Sequence, residues 1–238
     1  MPSLPSLCWV CHAWPSQVIC PECVQRFAAP RPRCPRCALP LSPPPQSPAG
    51  VNPVCSDCQR SSTPPLLDSC TACVDYGFPW AGCVVDFKFH QAPAWAQVLA
   101  ALMQLNPLLE EQLGRVDHVL AMPLSPQSLR ERGYNQALLL ARALCPERLR
   151  PGWLLKLRET AAQSELKGDA RLTNLHGALA VEPLAHPNIK GARLLVVDDV
   201  MTTGSTLYTA ARRLRASGAI EVHAAVFART PAPDTPEG

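Results

Sequence analysis

Residues Leu194 to Thr206 read LLVVDDVMTTGST. The run Arg193–Val197 (RLLVV) is short and apolar, as expected of a central parallel strand buried on both faces. Two carboxylates, Asp198 and Asp199, stand at its carboxyl end. A Thr/Gly turn follows, and the amphipathic run Thr206–Ala216 predicts a helix that stops at Ser217-Gly218. In parallel α/β sheets, ligands bind outside the carboxyl ends of the strands. A helix N-terminus there offers unpaired N–H groups and a positive dipole end, which suit phosphate. Gly204 lets an anion approach the backbone, and Thr202, Thr203, Ser205 and Thr206 add hydroxyl donors. Two adjacent acids would repel phosphate if they pointed at it, so they make sense only if they grip something else, such as ribose hydroxyls. A plain strand–turn–helix with an N-cap is the alternative. A Walker loop is excluded, because no Gly-Lys-Ser/Thr is present.

From about residue 70 to 230, strand-like runs alternate with amphipathic helical runs. This pattern predicts an α/β fold: a mostly parallel sheet flanked by helices. Strands are expected near Cys70–Asp75, His118–Met122, Trp153–Leu157 and Glu221–Ala228, with helices near Ala92–Leu105 and Tyr134–Leu144. Residues 1–65 are rich in Cys and Pro and form a separate small module. Leu39–Pro53 is a proline-rich loop, unfit for a helix interior or a central strand. Domain bounds of 1–65 and 66–230 follow, with a disordered, Pro-rich tail at 231–238.

Ten of the twelve cysteines fall in five Cys-x-x-Cys pairs. Disulfide frameworks belong to oxidising compartments and rarely repeat one tight spacing, so the pairs point to zinc. Cys8, Cys11, Cys20 and Cys23 form one set, and Cys34, Cys37, Cys55 and Cys58 another. Each offers four thiolates to one tetrahedral Zn²⁺ with no open position, so both sites are structural. A crossed pairing of the first and third pairs stays open, and His12 is an alternative ligand. Cys70 and Cys73 lie on the expected first strand, where positions i and i+3 face opposite ways and cannot share a metal. They read as small buried hydrophobes, as do Cys83 and Cys145.

After the strand at His118–Met122 come Pro123, Leu124 and Ser125, and then RERGYNQ from Arg130 to Gln136. Arg130 and Arg132 could meet phosphate charge through paired N–H groups. A surface helix with solvated arginines is the alternative, and Gly133 marks a bend in it.

The apolar strand, acid pair and Thr-Gly loop resemble the phosphoribosyl pyrophosphate (PRPP) signature of type I phosphoribosyltransferases. The resemblance implies that Asp198 and Asp199, the catalytic acids, hold the ribose 2′- and 3′-hydroxyls. Thr202–Thr206 would then cradle the 5′-phosphate, and the turn Pro123–Ser125 would bind pyrophosphate. It also implies Mg²⁺ bound with PRPP. Purine-salvage relatives carry an aspartate where Thr202 stands here, which argues against ordinary purine salvage. Cys-Trp-Val-Cys, the further cysteine pairs, Asp75-Tyr76, Phe87-Lys88-Phe89, PLS…RERGYNQ and VVDDVMTTGST occur in that order. Over nearly the whole chain this is similar to the ComF family (competence protein F, GntX type), a double zinc ribbon joined to a phosphoribosyltransferase-like domain. That resemblance implies a part in DNA uptake or in the use of external DNA, with single-stranded DNA or DNA-uptake proteins as partners. A non-catalytic PRPP or nucleotide sensor is the rival reading.

Charge adds little. A formal net charge of +3 with 17% charged residues is too small to argue nucleic-acid binding from bulk electrostatics. Arg26, Arg31, Arg33 and Arg36 give the cysteine module local positive charge. No apolar run is long enough for a membrane span. The first residues have no basic n-region, so a cytoplasmic location is expected.

Overall fold

The computed structural model describes residues 6–41, 53–61, 65–157 and 179–232. Two short helices lie in the cysteine-rich part, α1 (Pro21–Phe27) and α2 (Ser56–Arg60). The first strand, β1 (Ser69–Asp75), leads into α3 (Trp80–Phe89), α4 (Trp95–Gln104) and α5 (Pro107–Arg115). Next come β2 (His118–Ala121), α6 (Pro126–Arg132) and α7 (Gln136–Leu144). A small antiparallel pair, β3 (Leu154–Lys156) and β4 (Leu179–Val181), precedes α8 (His186–Ile189). The chain closes with β5 (Arg193–Met201), α9 (Ser205–Ala216) and β6 (Glu221–Arg229).

The main sheet has the order β1-β6-β5-β2, and all its pairs are parallel. Its central strands need apolar side chains on both faces, which the continuous run of β5 supplies. Leu195 and Val197 face a core built with Trp80, Phe87, Leu99 and Leu140, from the helices α3, α4 and α7. Leu194 and Val196 face the opposite core, with Leu207, Ala211 and Leu214 of α9. The period of two along a strand thus serves both layers. Among the described residues no helix is long and apolar enough to cross a membrane.

Several elements differ from the sequence expectation. β5 runs four residues past Val197, because Asp198, Val200 and Met201 continue the ladder against Val226, Ala228 and Arg229. The acid pair therefore sits inside the end of the strand. The helix expected at Ala92–Leu105 begins at Trp95. Helix α3 is not announced by its sequence: Trp80, Cys83, Val84 and Phe87 are all buried, and WAGCVVDFKF has no polar face. The stretch before Gln136 is one helix ending and another starting. Pro126 opens α6 at a position where its missing N–H costs nothing, and Gly133 closes it in the left-handed conformation at φ 80°. Most of the proline-rich loop and residues 233–238 lie outside the described residues.

Candidate functional site

The acid pair comes first. Asp199 is 6% exposed, and its Oδ1 lies 3.2 Å from Nζ of Lys88, in the last turn of α3. Its backbone N–H donates to Asp198 Oδ1 at 2.9 Å. Burial, reinforced by the charge of Asp199, pushes the Asp198 carboxyl up to about 7, against the N–H of Asp199 and the charge of Lys88. Two carboxylates and one ammonium thus form a group at the carboxyl end of β5, able to hold hydroxyls or a further cation.

Beyond Met201 the chain turns out of the sheet. Thr202 and Thr203 are exposed. The Thr203 hydroxyl donates to Ser205 Oγ at 3.1 Å and accepts the Ser205 N–H at 3.4 Å. Gly204 is left-handed at φ 80°, and α9 starts immediately after it with no side-chain cap. A Cβ on Gly204 would stand 2.3 Å from Met201 Cε and 2.7 Å from Tyr208 Cε2. The left-handed backbone and this crowding on the inner side of the loop both favour glycine, a reason that no reading of the anion side contains. Thr202–Thr206 present hydroxyls and N–H groups beside the acid pair, on the edge where α/β sheets bind ligands.

The segment after β2 reaches the same edge, since Met122 donates its N–H to the Val197 carbonyl at 2.9 Å. Pro123, Leu124 and Ser125 form the turn. Ser125 is 1% exposed, and its hydroxyl accepts the Ser128 N–H at 3.1 Å, capping α6. Arg130 is exposed on α6. Arg132 lies over the Phe89 ring, 5.4 Å from its centroid, and donates to Gln136 Oε1 at 3.3 Å. The Tyr134 hydroxyl and the Gln136 amide both donate to the Phe87 carbonyl, at 2.6 and 3.2 Å. Asn135 donates to the Met122 carbonyl at 2.9 Å and caps α7 by accepting the Leu138 N–H at 3.2 Å. These side chains clamp the end of α3, and hence Lys88, to the end of β2. Lys88 is the site residue that sequence reasoning missed. Its signal is a lone cation between two phenylalanines in a mostly apolar helix.

The cysteines gather as two sets, Cys8, Cys11, Cys20 with Cys23, and Cys34, Cys37, Cys55 with Cys58. Within each set the sulfurs all lie within 4.8 Å of one another. The pairing is sequential, not crossed. Four thiolates about 2.3 Å from one zinc would stand about 3.8 Å apart in a tetrahedron. The Cys11–Cys20 and Cys37–Cys55 sulfur separations are 3.7 and 3.6 Å. Both clusters therefore suit structural zinc. The N–H groups of Cys20 and Cys23 point at the sulfurs of Cys8 and Cys20, at 3.3 and 3.4 Å, and favour thiolate. Cys70 and Cys73 pack into opposite cores, and Cys83 and Cys145 are buried. His12 is exposed beside the first set.

The arginines of this part are engaged. Arg31 and Arg33 pair with Asp75 of β1 at 2.5 and 2.8 Å. Arg36 donates to the Cys58 carbonyl at 3.1 Å, and Arg26 lies over Phe27. The charges of Arg31 and Arg33 tie the cysteine-rich part to the sheet, while Arg26 and Arg36 bond within that part.

The phosphoribosyl transferase domain family matches residues 140–237. The DNA utilization protein YhgH of Salmonella typhimurium is 30% identical over 240 residues, covering 97% of this chain and 100% of that protein. Competence protein F of Haemophilus influenzae is 30% identical over 189 residues, covering 74% of this chain and 78% of its own. A solved glutamine PRPP amidotransferase from B. subtilis is 23% identical over 57% of this chain and 26% of its own, with a TM-score of 0.34, too low to argue from. The chain therefore belongs to the family of DNA utilization protein YhgH and competence protein F, and it carries that family's phosphoribosyltransferase domain.

Proposed function

We propose that this protein binds PRPP with Mg²⁺ at the carboxyl edge of its sheet and serves DNA utilization, the role its relatives are named for. One observation carries the reading: an acid pair whose buried member, Asp199, is held by Lys88 stands directly before a hydroxyl-rich loop and the start of a twelve-residue helix. Asp198 and Asp199 accept hydrogen bonds from the two ribose hydroxyls. The N–H groups and hydroxyls of Thr202–Thr206 take the 5′-phosphate, with the helix dipole behind them. The turn Pro123–Ser125 faces the pyrophosphate, with Lys88, Arg130 and Arg132 as the nearby cations. Mg²⁺, when bound, neutralises the leaving pyrophosphate. The acid pair already tolerates one cation at 3.2 Å, so its chemistry fits a second. Positioning and preset charge supply most of the acceleration of transfer at C1.

The test is PRPP consumption with a panel of bases and nucleotides, read beside calorimetric binding. Wild type should bind PRPP and release pyrophosphate with at least one acceptor, while Asp198→Asn/Asp199→Asn should do neither. Binding without release by any acceptor favours a sensor. Equal binding by wild type and variant refutes the site.

A further inference from the structure

Arg229 ends β6, in register with Met201 of β5 and Asp75 of β1. It is 6% exposed. Its Nε donates to the Cys37 carbonyl at 2.9 Å. Its Nη1 donates to the carbonyls of Met201 at 3.1 Å, Thr230 at 2.7 Å and Thr202. Among the described residues no carboxylate lies within ion-pair distance of it. A buried guanidinium is tolerated only when its N–H groups find acceptors, and here the acceptors of Nε and Nη1 are all backbone carbonyls. Two of them belong to the loop that follows the acid pair. A third belongs to a cysteine of the second cluster.

A second line of contact runs beside the first. Cys70 Sγ lies 3.6 Å from Met201 Sδ. Met201 and Tyr208 close the inner side of Gly204, and both belong to the core that contains Cys34 and Cys37. The first cluster is placed elsewhere. Trp9, beside Cys8, packs edge-on against Trp95 at 5.5 Å and against Gly82 of α3.

We propose that the second cluster sets the shape of the phosphate loop through Arg229. Metal at Cys34, Cys37, Cys55 and Cys58 and a phosphorylated ligand at Thr202–Thr206 then stabilise each other. The ligand half of this statement rests on the PRPP reading above. Loss of the metal frees the turn that carries the Cys37 carbonyl. Arg229 then loses an acceptor and no longer holds the carbonyls of Met201 and Thr202 in place. Coupling between two sites is reciprocal, so the ligand must retain the metal by the same factor as the metal favours the ligand. Arg229 is a positioning residue and touches no reacting atom.

The test has two arms, both on the full chain. Hydrogen exchange of the loop is followed at the Tyr208 and Thr230 amides, which donate to the Gly204 and Met201 carbonyls, in metal-loaded protein and after a zinc-selective chelator. Exchange in the loop should accelerate about tenfold, while Leu194–Val197 stay protected. If the chelator exposes Leu194–Val197 as well, the metal-loaded Arg229→Lys variant decides. It keeps the charge and both metals but lacks the fork, and its loop should accelerate alike. Unchanged loop exchange overturns the proposal. In the second arm, cysteine alkylation during chelation is read residue by residue by mass spectrometry, with and without PRPP and Mg²⁺. PRPP should slow the labelling of Cys34, Cys37, Cys55 and Cys58 about fivefold. The labelling of Cys8, Cys11, Cys20 and Cys23 should not change, and Arg229→Lys should abolish the effect. Calorimetric binding of PRPP without that protection refutes the coupling. No calorimetric binding at all refutes the PRPP reading instead, and the exchange arm then judges the tether alone.

Discussion

Two segments reach the same edge of the sheet, residues 198–206 and residues 123–136, and they use their polar side chains in opposite ways. In the second, nearly every polar group is committed to the fold. Ser125 and Asn135 cap helices, and Tyr134 and Gln136 share the Phe87 carbonyl. In the first, Thr202 and Thr203 are exposed, α9 has no side-chain cap, and the Asp199 carboxylate meets the distant helix α3 through Lys88. Buried polar groups are expected to have partners. A loop that faces solvent beside two acids has groups to spare for a ligand, which is the reading proposed above. A motif can thus be specific because it builds a site or because it builds the frame of one, and only the hydrogen-bond partners tell which.

The largest expected effect tests the ligand side of this contrast. Asp198→Asn/Asp199→Asn should abolish the rise in thermal midpoint that PRPP and Mg²⁺ give wild type, without lowering the midpoint of the unliganded protein. A fall in the unliganded midpoint would place the acids among the framework groups and break the contrast. Next in size is Lys88→Gln. Removing the ammonium beside Asp199 should weaken PRPP about tenfold, or about 1.4 kcal/mol, as measured by calorimetry. An unchanged affinity would leave Lys88 a counter-ion of the empty site only.

The uneven legibility of the sequence has the same origin. LLVVDDVMTTGST could be read because burial on both faces forces a continuous apolar strand, and because a ligand loop keeps its polar residues together. The two cysteine sets could be read because a tetrahedral metal dictates local spacing. Lys88 could not, since its meeting with Asp199 depends on β6 lying between β1 and β5, which no local pattern encodes. Helix α3 was missed for a related reason: its exposed Val85 and Phe89 are as apolar as its buried side chains, which erases the period that marks a surface helix. The arginines after Pro123 carried charge that suits phosphate, yet charge alone does not say that Arg132 lies on Phe89.

The framework side is sharpened by Asn135→Ala. It removes a helix cap and a bond to the Met122 carbonyl, so it should cost about 1 kcal/mol in urea unfolding. The folded variant should bind PRPP within about threefold of wild type, less than a 1 kcal/mol change. Lost binding at full stability would move this segment to the ligand side.

The smallest expected effect is a pH dependence at Asp198, read in magnesium-free buffer. An unfolded aspartate titrates near 3.9, whereas burial and the charge of Asp199 hold this one at about 7 in the fold. Between those values the native state keeps a proton that the unfolded chain has lost. Stability from this group therefore falls as pH rises from about 4 to 7 and is level above. Asp198→Asn cannot titrate and escapes the loss. Its thermal midpoint should match wild type near pH 4, rise above it progressively toward pH 7, and keep a constant lead at pH 8. A lead that is already complete at pH 5 would show an ordinary carboxylate. A lead that shrinks with rising pH would reverse the sign and mean that the ionised acid helps hold the fold together. Asp198 would then join Ser125 and Asn135 on the framework side.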